Sequence, residues 1–344
     1  MSSHILVIRL SAMGDVAMTV PVLRAFSLQY PNVKITVVSR PFFKPFFDDI
    51  ENTTFFPIDL KERHKGFLGL LRLFSDLRKL NIDAVADLHN VLRSKIIRTL
   101  FALNGKNLAA TDKGRQDKKA LTKLAIKTIS PTKTMFDRHC ETFEKLGFPL
   151  HLESPTFPEK VILSDELIKI TGTKEENWIG IAPFAQYESK VYPIDLMQHV
   201  IDELVKNDSN KILLFGGGSE EIKKLNQLKN NHENVLVLAG KTNLKEELAI
   251  ISNLNVMLSM DSGNAHIAAM LGVKVITLWG ATHPFAGFQP FHQPDDFCLT
   301  SDRKKYPFLP TSVYGNKKVV GYENAMRSIS VENVVGKINF VLNH

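Results

Sequence analysis

Residues 4–15, His-Ile-Leu-Val-Ile-Arg-Leu-Ser-Ala-Met-Gly-Asp, contain the strand-to-helix transition that decides the fold. The run His4–Leu10 is almost continuously apolar, which is typical of a strand buried on both faces of a parallel sheet. Gly14 permits a tight turn after this strand, and a helical pattern follows to about Gln29. A buried strand that leads directly into a helix begins a βαβ unit, so this stretch predicts an α/β fold.

Short apolar runs and helical patterns alternate along the rest of the chain in the same way. The further predicted strands are 33–39, 83–89, 107–111, 179–182, 212–215, 235–239, 256–260 and 275–278. The later predicted helices lie near 67–80, 91–102, 134–146, 194–206, 219–229, 244–252 and 263–271. Asn243 and Glu246 have the spacing of a capping box at the start of one of these helices. Apolar strands joined by helices indicate parallel sheets with crossover connections.

The two series of elements predict two facing doubly wound Rossmann-like domains, residues 1–160 and 161–344. The junction is expected near 155–177, where Pro155, Pro158 and a polar stretch interrupt the alternation. The final helix is expected to be able to pack back on the first domain. Parallel sheets bind ligands at the carboxyl ends of their strands, so each domain should present such an edge to one cleft.

Composition and terminal sequence predict a cytoplasmic protein. The chain has 344 residues, of which 44% are hydrophobic and 23% charged, so it can bury a large core. No apolar run reaches the roughly 18 residues of a membrane span, and the first residues do not have the pattern of a signal peptide. Cys140 and Cys298 are far apart in the sequence, which favours reduced thiols over a disulfide or a metal site.

The positive charge is concentrated in the first part of the chain. Residues 1–150 contain 24 Lys and Arg against 14 Asp and Glu, a net charge of +10, whereas residues 151–344 contain 19 against 22. Such a field favours an anionic partner, which can be a nucleic acid, a phosphorylated substrate or an acidic membrane surface. Nucleic acid is disfavoured, because the basic stretch 113–133 contains no aromatic residue on which bases could stack.

Asp15 is the first candidate for chemistry. One interpretation makes it a residue of the first helical turn, where a carboxylate is favoured by the helix N-terminus. The other starts from Pro21, which prefers a first helical turn; the helix would then begin after Asp15 and leave its carboxylate on an exposed loop. In the second case the carboxylate of Asp15 would face the cleft.

A second motif, Asp261-Ser-Gly-Asn-Ala-His266, follows the predicted strand 256–260. An acid, a hydroxyl and a glycine at the point where a strand ends and a helix begins predict a cradle of backbone N–H groups for an anion. A diphosphate or a sugar hydroxyl would fit there. His266 is either a buried structural residue or a ligand of the same site.

Two more loops follow predicted strands. Lys190 lies in the stretch 183–193, just before a helix whose first turn is expected to contain Pro193. A lysine there is either solvated or able to neutralise charge on a departing phosphate. Gly216-Gly-Gly-Ser-Glu-Glu221 permits close approach of a ligand to the backbone but matches no nucleotide-binding fingerprint.

Several catalytic patterns are missing from the sequence. It contains no D-x-D pair for a metal-bound nucleotide sugar, no H-E-x-x-H and no paired-cysteine zinc pattern. A nucleophile elbow of the form G-x-S-x-G is also missing. These gaps disfavour metal-dependent and serine hydrolases.

Taken with the order of these motifs, the chain resembles the bacterial ADP-heptose lipopolysaccharide heptosyltransferases of glycosyltransferase family 9. The resemblance covers roughly residues 4–290. It rests on the following segments: Ser11-Ala-Met-Gly-Asp-Val16, Pro21-Val-Leu-Arg24, Asp87-Leu-His-Asn-Val-Leu-Arg93, Lys190 before Tyr-Pro, the glycine-rich turn, and Asp261–His266.

The resemblance implies the GT-B fold and an inverting, metal-independent glycosyl transfer without a cofactor. Asp15 would be the base that deprotonates the acceptor hydroxyl, and Lys190 would stabilise the diphosphate leaving group. The expected donor-binding residues are Gly216, Gly217, Glu220, Glu221, Thr242, Asp261, Ser262, Gly263 and His266. The expected acceptor-binding residues are Met13, Gly14, His89, Asn90, Arg93 and Lys95. Either Glu220 or Glu221 would contact the ribose.

The implied acceptor is an anionic glycolipid, lipid A with inner-core sugars, and contact with the inner membrane surface is expected. Lys61–Lys65, Arg93–Arg98 and Lys113–Lys133 are the expected contacts of this acceptor, bound mainly by the first domain. Two departures bear on sugar identity: Tyr192 stands where tryptophan is expected, and residues 295–322, expected as an extra loop over the cleft, belong to no recognised motif. The alternatives are a family member with another nucleotide sugar, a basic nucleic-acid-binding protein and a non-catalytic subunit.

Overall fold

Two parallel sheets organise residues 3–175 and 177–344, which are the residues that the computed structural model describes. The strands are β1 His4–Ile8, β2 Lys34–Ser39, β3 Thr53–Pro57, β4 Ala84–Asp87, β5 Asn107–Ala110, β6 Asn177–Ala182, β7 Asn210–Leu214, β8 Val235–Val237, β9 Val256–Met260, β10 Lys274–Trp279 and β11 Cys298–Thr300. The first sheet has the order β3-β2-β1-β4-β5 and the second β11-β10-β9-β6-β7-β8. Every strand pair is parallel.

Helices connect these strands. They are α1 Met13–Ala17, α2 Thr19–Gln29, α3 Gly66–Arg78, α4 Leu92–Ala102, α5 Arg115–Leu121, α6 Met135–Glu144, α7 Asp165–Thr171, α8 Ile194–Leu204, α9 Ser219–Lys229, α10 Leu244–Ile251, α11 Gly263–Met270 and α12 Val331–Asn343. The prediction of two doubly wound α/β domains is therefore confirmed. In the part of the chain that the structure describes, no helix combines the length and the apolarity that a membrane span requires.

Each sheet carries its own apolar core. In the first, Leu6 and Ile8 of β1 pack with Leu73 and Leu77 of α3. In the second, buried side chains of the central strands pack against α8, α9 and α12. Continuous apolar strands are needed because helices cover both faces of these sheets. This arrangement leaves the carboxyl ends of the strands, with their loops, as the edge that can bind ligands.

The chain divides into two compact units that differ from a single cut at residue 160. Unit 1 contains 1–114 and 133–157, and unit 2 contains 115–132 and 158–344. The excursion 115–132 is held within unit 2, where the Thr132 N–H donates to the Phe285 carbonyl oxygen at 2.9 Å. The charged residues of 115–132 therefore count toward unit 2. Unit 1 has 19 Lys and Arg against 14 Asp and Glu, a net charge of +5, and unit 2 has 24 against 22, a net charge of +2, so the +10 of residues 1–150 does not describe the first unit.

The final helix belongs to the second unit by its buried residues. Val334, Ile338 and Val341 of α12 are buried in the core of unit 2, together with strand and α8 side chains. This helix therefore contributes to the core of unit 2. The three residues lie on one helical stripe, and the sheet of their own unit offers the apolar surface that this stripe needs.

Local sequence signals place most elements correctly but miss the edges of the sheets. The Asn243–Glu246 capping box is confirmed, with reciprocal bonds of 2.8 and 3.1 Å between each backbone N–H and the other side chain. Strands β3 and β11 were not predicted. Both lie at sheet edges and are short, and β3 contains only half-buried and exposed residues. Helix α7 lies inside the expected junction 155–177.

Candidate active site

Asp15 lies within a helix, in the third position of α1, so the expectation that the helix begins after it was wrong. Met18 separates α1 from α2, and Pro21 falls in the first turn of α2. The Asp15 carboxylate accepts the Ala12 N–H at 3.2 Å, which makes it a first-turn cap. Its side chain is nevertheless 36% exposed. The carboxylate is thus fixed by its own turn and remains accessible to a ligand.

Arg9, which the sequence analysis did not single out, is the charged partner of Asp15. Its Nη2 lies 2.7 Å from Oδ2 of Asp15, and its Nη1 donates to the Leu88 carbonyl oxygen at 2.7 Å. The guanidinium therefore joins the loop after β1 to the loop after β4. An arginine at the end of an apolar strand is the available signal, because a buried arginine requires a partner.

His89 stabilises the loop after β1, which leads to Asp15, by a hydrogen bond to its backbone. Its imidazole is buried, and Nδ1 accepts the Leu10 N–H at 3.4 Å. Burial, followed by the nearby Arg9 charge, lowers the pKa of His89 to about 4. The ring is therefore neutral at physiological pH, as an acceptor at Nδ1 requires. This position makes His89 a support of the Asp15 loop.

The remaining residues expected to bind the acceptor lie on the same two loops. Asn90 has a positive φ, and its side chain donates to the Thr111 carbonyl oxygen at 2.9 Å. Arg93 and Lys95 are exposed on the first turn of α4, and Met13 and Gly14 are half-buried in α1. The exposed pair is available to an anion.

Some of the basic residues expected to contact an acceptor are engaged elsewhere. Arg98 lies 3.2 Å from the fully buried carboxylate of Asp87. Lys118 is buried and lies 4.0 Å from the centre of the Phe288 ring. Lys127 donates to the carbonyl oxygens of Phe308 and Pro310 at 2.8 and 3.3 Å. The expectation that these three are surface contacts was wrong, since local sequence does not reveal partners so distant in the chain.

In unit 2, Lys190 and Asp261 form one ion pair. The Lys190 Nζ lies 2.9 Å from Oδ2 of Asp261, and the two side chains are only 12% and 10% exposed. Lys190 ends a short 3₁₀ turn, Glu188–Lys190, and Pro193 is the N-cap of α8 and not a residue of its first turn. The interpretation of Lys190 as an ordinary solvated lysine is excluded. The carboxyl ends of adjacent strands β6 and β9 bring the two residues together.

The motif after β9 forms the start of a helix as expected. Ser262 is the N-cap of α11, which begins at Gly263. The Ser262 and Ser259 hydroxyl oxygens lie 3.1 Å apart. His266 is buried in the first turns of α11, four residues beyond Ser262. The backbone N–H groups at this N-terminus directly follow Asp261 in the sequence and can hold an anion.

The structure distinguishes the two neighbouring glutamates of the glycine-rich turn. Glu221 is half-buried, and its Oε2 accepts the Gly217 N–H at 2.8 Å. Glu220 is exposed on the outside of α9. A Cβ on Gly216 would lie 3.0 Å from Oε2 of Glu221, so the side chain closes over this turn. Glu221 is the better placed of the two to meet a ligand at the turn.

Thr242 lies in the loop after β8, beside the half-buried carboxyl group of Glu247. Burial raises the pKa of Glu247 to about 7, against a smaller opposing effect of the Thr242 hydroxyl. In the sheet, β8 lies next to β7, so this loop is a neighbour of the glycine-rich turn. Gly240 and Ile222 of α9 are in close contact, which joins the two loops.

The loop after β10 also faces this edge, although sequence reasoning did not identify it. Thr282 and His283 are buried there, and Nδ1 of His283 accepts the Phe285 N–H at 3.2 Å. Burial and the Arg303 charge lower the pKa of His283 to about 4. The signal in the sequence was a Gly-Ala-Thr-His-Pro run directly after a buried strand.

Both departures from the family pattern have structural explanations. Tyr192 is fully buried in the core of unit 2, where its hydroxyl donates to the Ile329 carbonyl oxygen at 2.8 Å. Burial raises its pKa to about 12. This side chain does not face a ligand, so its identity carries no information about the sugar. The stretch 295–322 was expected as an extra loop, but it supplies edge strand β11 and a loop that packs on the segment after β10.

Among residues 3–175 and 177–344, no three histidine, cysteine or acidic side chains are grouped to hold a metal ion. The charged groups described above determine which reactions the two units can support. Unit 1 presents a fixed, accessible carboxylate with basic residues on the next loop. Unit 2 presents a lysine, an acid and a helix N-terminus suited to a phosphate group.

Known proteins are similar to this chain over most of its length. The model of glycosyltransferase family 9 (heptosyltransferase) matches residues 70–318, a range that contains Lys190 and Asp261 but not Asp15. The lipopolysaccharide core heptosyltransferase OpsX of Haemophilus influenzae is 25% identical over 340 residues, which are 96% of this chain and 95% of that protein.

Two solved structures are similar in fold. A glycosyltransferase of family 9 from Veillonella parvula has a TM-score of 0.75 at 20% identity, covering 99% of this chain and 97% of that one. The E. coli heptosyltransferase WaaC with ADP has a TM-score of 0.69 at 19% identity, covering 98% and 99%. The similarity extends over both units in each case.

Proposed function

Because the chain belongs to glycosyltransferase family 9, the heptosyltransferases, we propose that it transfers a heptose from ADP-heptose to the inner core of lipopolysaccharide or to a related glycolipid. The observation that carries this proposal is the buried pair of Lys190 with Asp261, next to the N-terminus of α11. A cation beside backbone N–H groups suits the diphosphate of a nucleotide sugar. The E. coli enzyme with ADP, which has the same fold, supports an adenine nucleotide.

We infer an inverting transfer that needs no metal ion. Asp15 accepts the proton of the acceptor hydroxyl while the hydroxyl oxygen attacks the anomeric carbon from the face opposite the diphosphate. The bond between that carbon and the diphosphate oxygen breaks in the same step, and ADP leaves with the electron pair. One base and one stabilised leaving group suffice, so a second carboxylate is not required. Inversion follows from attack opposite the leaving group.

Lys190 and the N–H groups of Ser262 and Gly263 would take the negative charge that develops on the departing ADP. Groups fixed in advance near such charge contribute about 10²–10³-fold to the rate, as removal of one oxyanion-hole donor indicates. Asp261 would contact the heptose hydroxyls, with His266 beside it. In this arrangement the lysine changes partner, from the carboxylate to the diphosphate, when the donor binds.

The nucleoside would lie along the loops after β7 and β8. Gly216 and Gly217 let the ribose approach the backbone, and Glu221 would accept its hydroxyls. Thr242 would line the neighbouring loop, with Glu220 outside the site. This assignment is supported by the half-buried position of Glu221 and by its bond to the Gly217 N–H.

The acceptor would bind along the loops of unit 1. Met13 and Gly14 flank the base, His89 and Asn90 shape the next loop, and Arg93 and Lys95 would contact the anionic groups of lipid A and the inner-core sugars. Unit 1 has an excess of positive charge, which supports an anionic acceptor.

We further propose that the enzyme works peripherally at the cytoplasmic face of the inner membrane. Phe67 and Leu68 at the start of α3 and Leu92 at the start of α4 are 63%, 68% and 74% exposed. Both helices begin at the carboxyl edge of the sheet, the edge that carries Asp15. Lys61 and Lys65 precede the apolar pair in the sequence and are exposed. Apolar tips with lysines around them suit an anionic bilayer surface that contains the acceptor.

A binding screen of ADP-, GDP-, UDP- and dTDP-sugars against the purified protein tests the donor. We expect ADP-heptose to bind most tightly and ADP to compete with it. Preference for another base would instead assign a family member that uses a different nucleotide sugar for another surface glycan.

A further inference from the structure

A glycine of the previously unassigned segment lies directly on the side chain of Lys190. A Cβ placed on Gly315 would come within 2.5 Å of Cδ and 2.7 Å of Cγ of Lys190. Those distances are far shorter than van der Waals contact, so only a glycine fits while the lysine keeps this position. Gly315 also has φ +84°, and it is buried.

Lys190 cannot easily move away from such a clash, because it is held at both ends. Its backbone N–H donates to the Tyr187 carbonyl oxygen at 3.0 Å, which closes the 3₁₀ turn. Its Nζ lies 2.9 Å from the Asp261 carboxylate. The clash falls on the methylene groups between these two anchors. Displacing them would therefore shift the ammonium group relative to Asp261 and to the N-terminus of α11.

The loop that carries Gly315 is itself fixed on the lysine's own turn. The Ser189 hydroxyl donates to the Gly315 carbonyl oxygen at 2.7 Å, and the Ser189 carbonyl oxygen accepts the Ala281 N–H at 3.1 Å. The Ala281 carbonyl oxygen in turn accepts the N–H groups of Thr311 and Ser312 at 2.9 and 3.1 Å. The Ser312 hydroxyl oxygen accepts the Gly315 N–H at 2.9 Å, which completes a closed ring of bonds.

We propose that Gly315, with the loop 311–316, is a positioning residue that sets the location of the Lys190 ammonium group. This inference rests on the proposed function of Lys190 at the diphosphate. Gly315 touches no reacting atom; it acts through the methylene groups of Lys190. The sequence segment that matched no recognised motif thereby becomes a part of the donor site.

Gly321 provides a matched control for the test. It lies in the same segment with φ +83°, and a Cβ there would meet no atom within 4 Å. Gly315→Ala and Gly321→Ala therefore impose the same backbone strain, and only the first presses on Lys190. We expect Gly315→Ala to lower kcat about 10- to 100-fold, the range that a displacement of up to 1 Å produces. Gly321→Ala should lose thermal stability but keep its kcat.

Equal kcat values for the two folded variants would overturn the proposal. If Gly315→Ala does not fold, Ser312→Ala decides the question, since it removes the hydroxyl that accepts the Gly315 N–H and donates to Oδ1 of Asn316 in the same loop, without adding an atom. Reduced turnover at wild-type thermal stability supports positioning, and wild-type turnover contradicts it.

A double variant separates this inference from the proposed function, with ADP as the probe. If Gly315 acts through Lys190, Gly315→Ala should weaken ADP binding in the wild-type background and have no further effect in Lys190→Ala. An equal loss in both backgrounds would contradict the inference. ADP affinity can be measured even if the wild-type protein transfers no heptose, an outcome that would overturn the proposed function alone.

Discussion

The ammonium group of Lys190 lies 2.9 Å from the Asp261 carboxylate, in a pair of which only about a tenth is exposed. Seventy-one positions separate the two residues, and adjacent parallel strands bring them together. The pair holds the lysine side chain in place at the edge where a diphosphate would bind. A buried pair of this kind contributes little to stability by itself, so a ligand that replaces one partner can compete for the other.

Lys190→Ala should weaken ADP binding and lower turnover together, the latter about 10²–10³-fold, because the lysine would neutralise charge in both the bound donor and the departing ADP. Calorimetry with ADP and steady-state rates with ADP-heptose measure the two effects. Asp261→Asn is the matched control, since it keeps the size of the side chain. It should bind ADP at least as tightly as the wild type while transferring heptose more slowly. Equal losses of ADP affinity in the two variants would mean that the pair has only a structural role.

Glu221→Ala should weaken ADP affinity about tenfold, the effect of one lost hydrogen bond to a ligand. Glu220→Ala should change it less than about twofold, because an exposed carboxylate on α9 gains nothing from the ligand. The Glu221→Gln variant can still accept the Gly217 N–H and tests whether the shape of the turn matters. Similar affinities for the two alanine variants would remove Glu221 from the ribose site.

The burial of His89 predicts how its contribution to stability depends on pH. Its pKa is about 4 in the folded protein and about 6.5 when unfolded. Between these values the unfolded chain binds a proton that the folded one does not, so stability falls as the pH decreases, by at most about 1.4 kcal/mol per unit. His283 acts in the same direction, whereas the raised pKa of Glu247 acts in the opposite one between about pH 4.5 and 7.

Comparing the wild type with His89→Gln cancels the contributions of His283 and Glu247 to the pH dependence of stability, because both proteins contain these residues. The wild type should unfold at a higher temperature than the variant at pH 8, and this difference should shrink steadily between pH 6.5 and 4.5. Thermal unfolding of both proteins across this range measures it. A difference that stays constant with pH would mean that His89 is not held neutral in the folded state.

Features that depend on neighbouring residues could be predicted from the sequence, whereas contacts between distant residues mostly could not. The boundaries of β9 and the start of α11 at Gly263 followed from local pattern, because a buried strand, a glycine and a helix signal are adjacent there. The partnership of Arg9 with Asp15 could have been inferred from the expense of burying a lone arginine. The Lys190–Asp261 pair and the contact with Gly315 could not, since they depend on strand order. The same holds for residues 115–132, whose partners near Phe285 lie far away in sequence.

The exposed apolar residues at the start of α3 predict membrane binding. The double variant Phe67→Ser, Leu68→Ser should bind vesicles of phosphatidylglycerol and phosphatidylethanolamine several-fold more weakly than the wild type, because apolar area buried in the bilayer is lost. Leu103→Ser is the control, since Leu103 is 79% exposed but follows the C-terminus of α4, at the opposite end of that helix. Flotation assays measure the bound fraction. Equal binding by the double variant and the control would reject this surface.

Asp15 is the proposed base of the heptosyl transfer. The most direct test is the turnover of Asp15→Ala with ADP-heptose and a lipid A acceptor carrying inner-core sugars, measured beside its affinity for ADP. We predict that transfer is abolished while ADP affinity remains close to the wild-type value, because the base and the nucleotide-binding residues belong to different units. Undiminished turnover in this variant would contradict the role of Asp15 as the base.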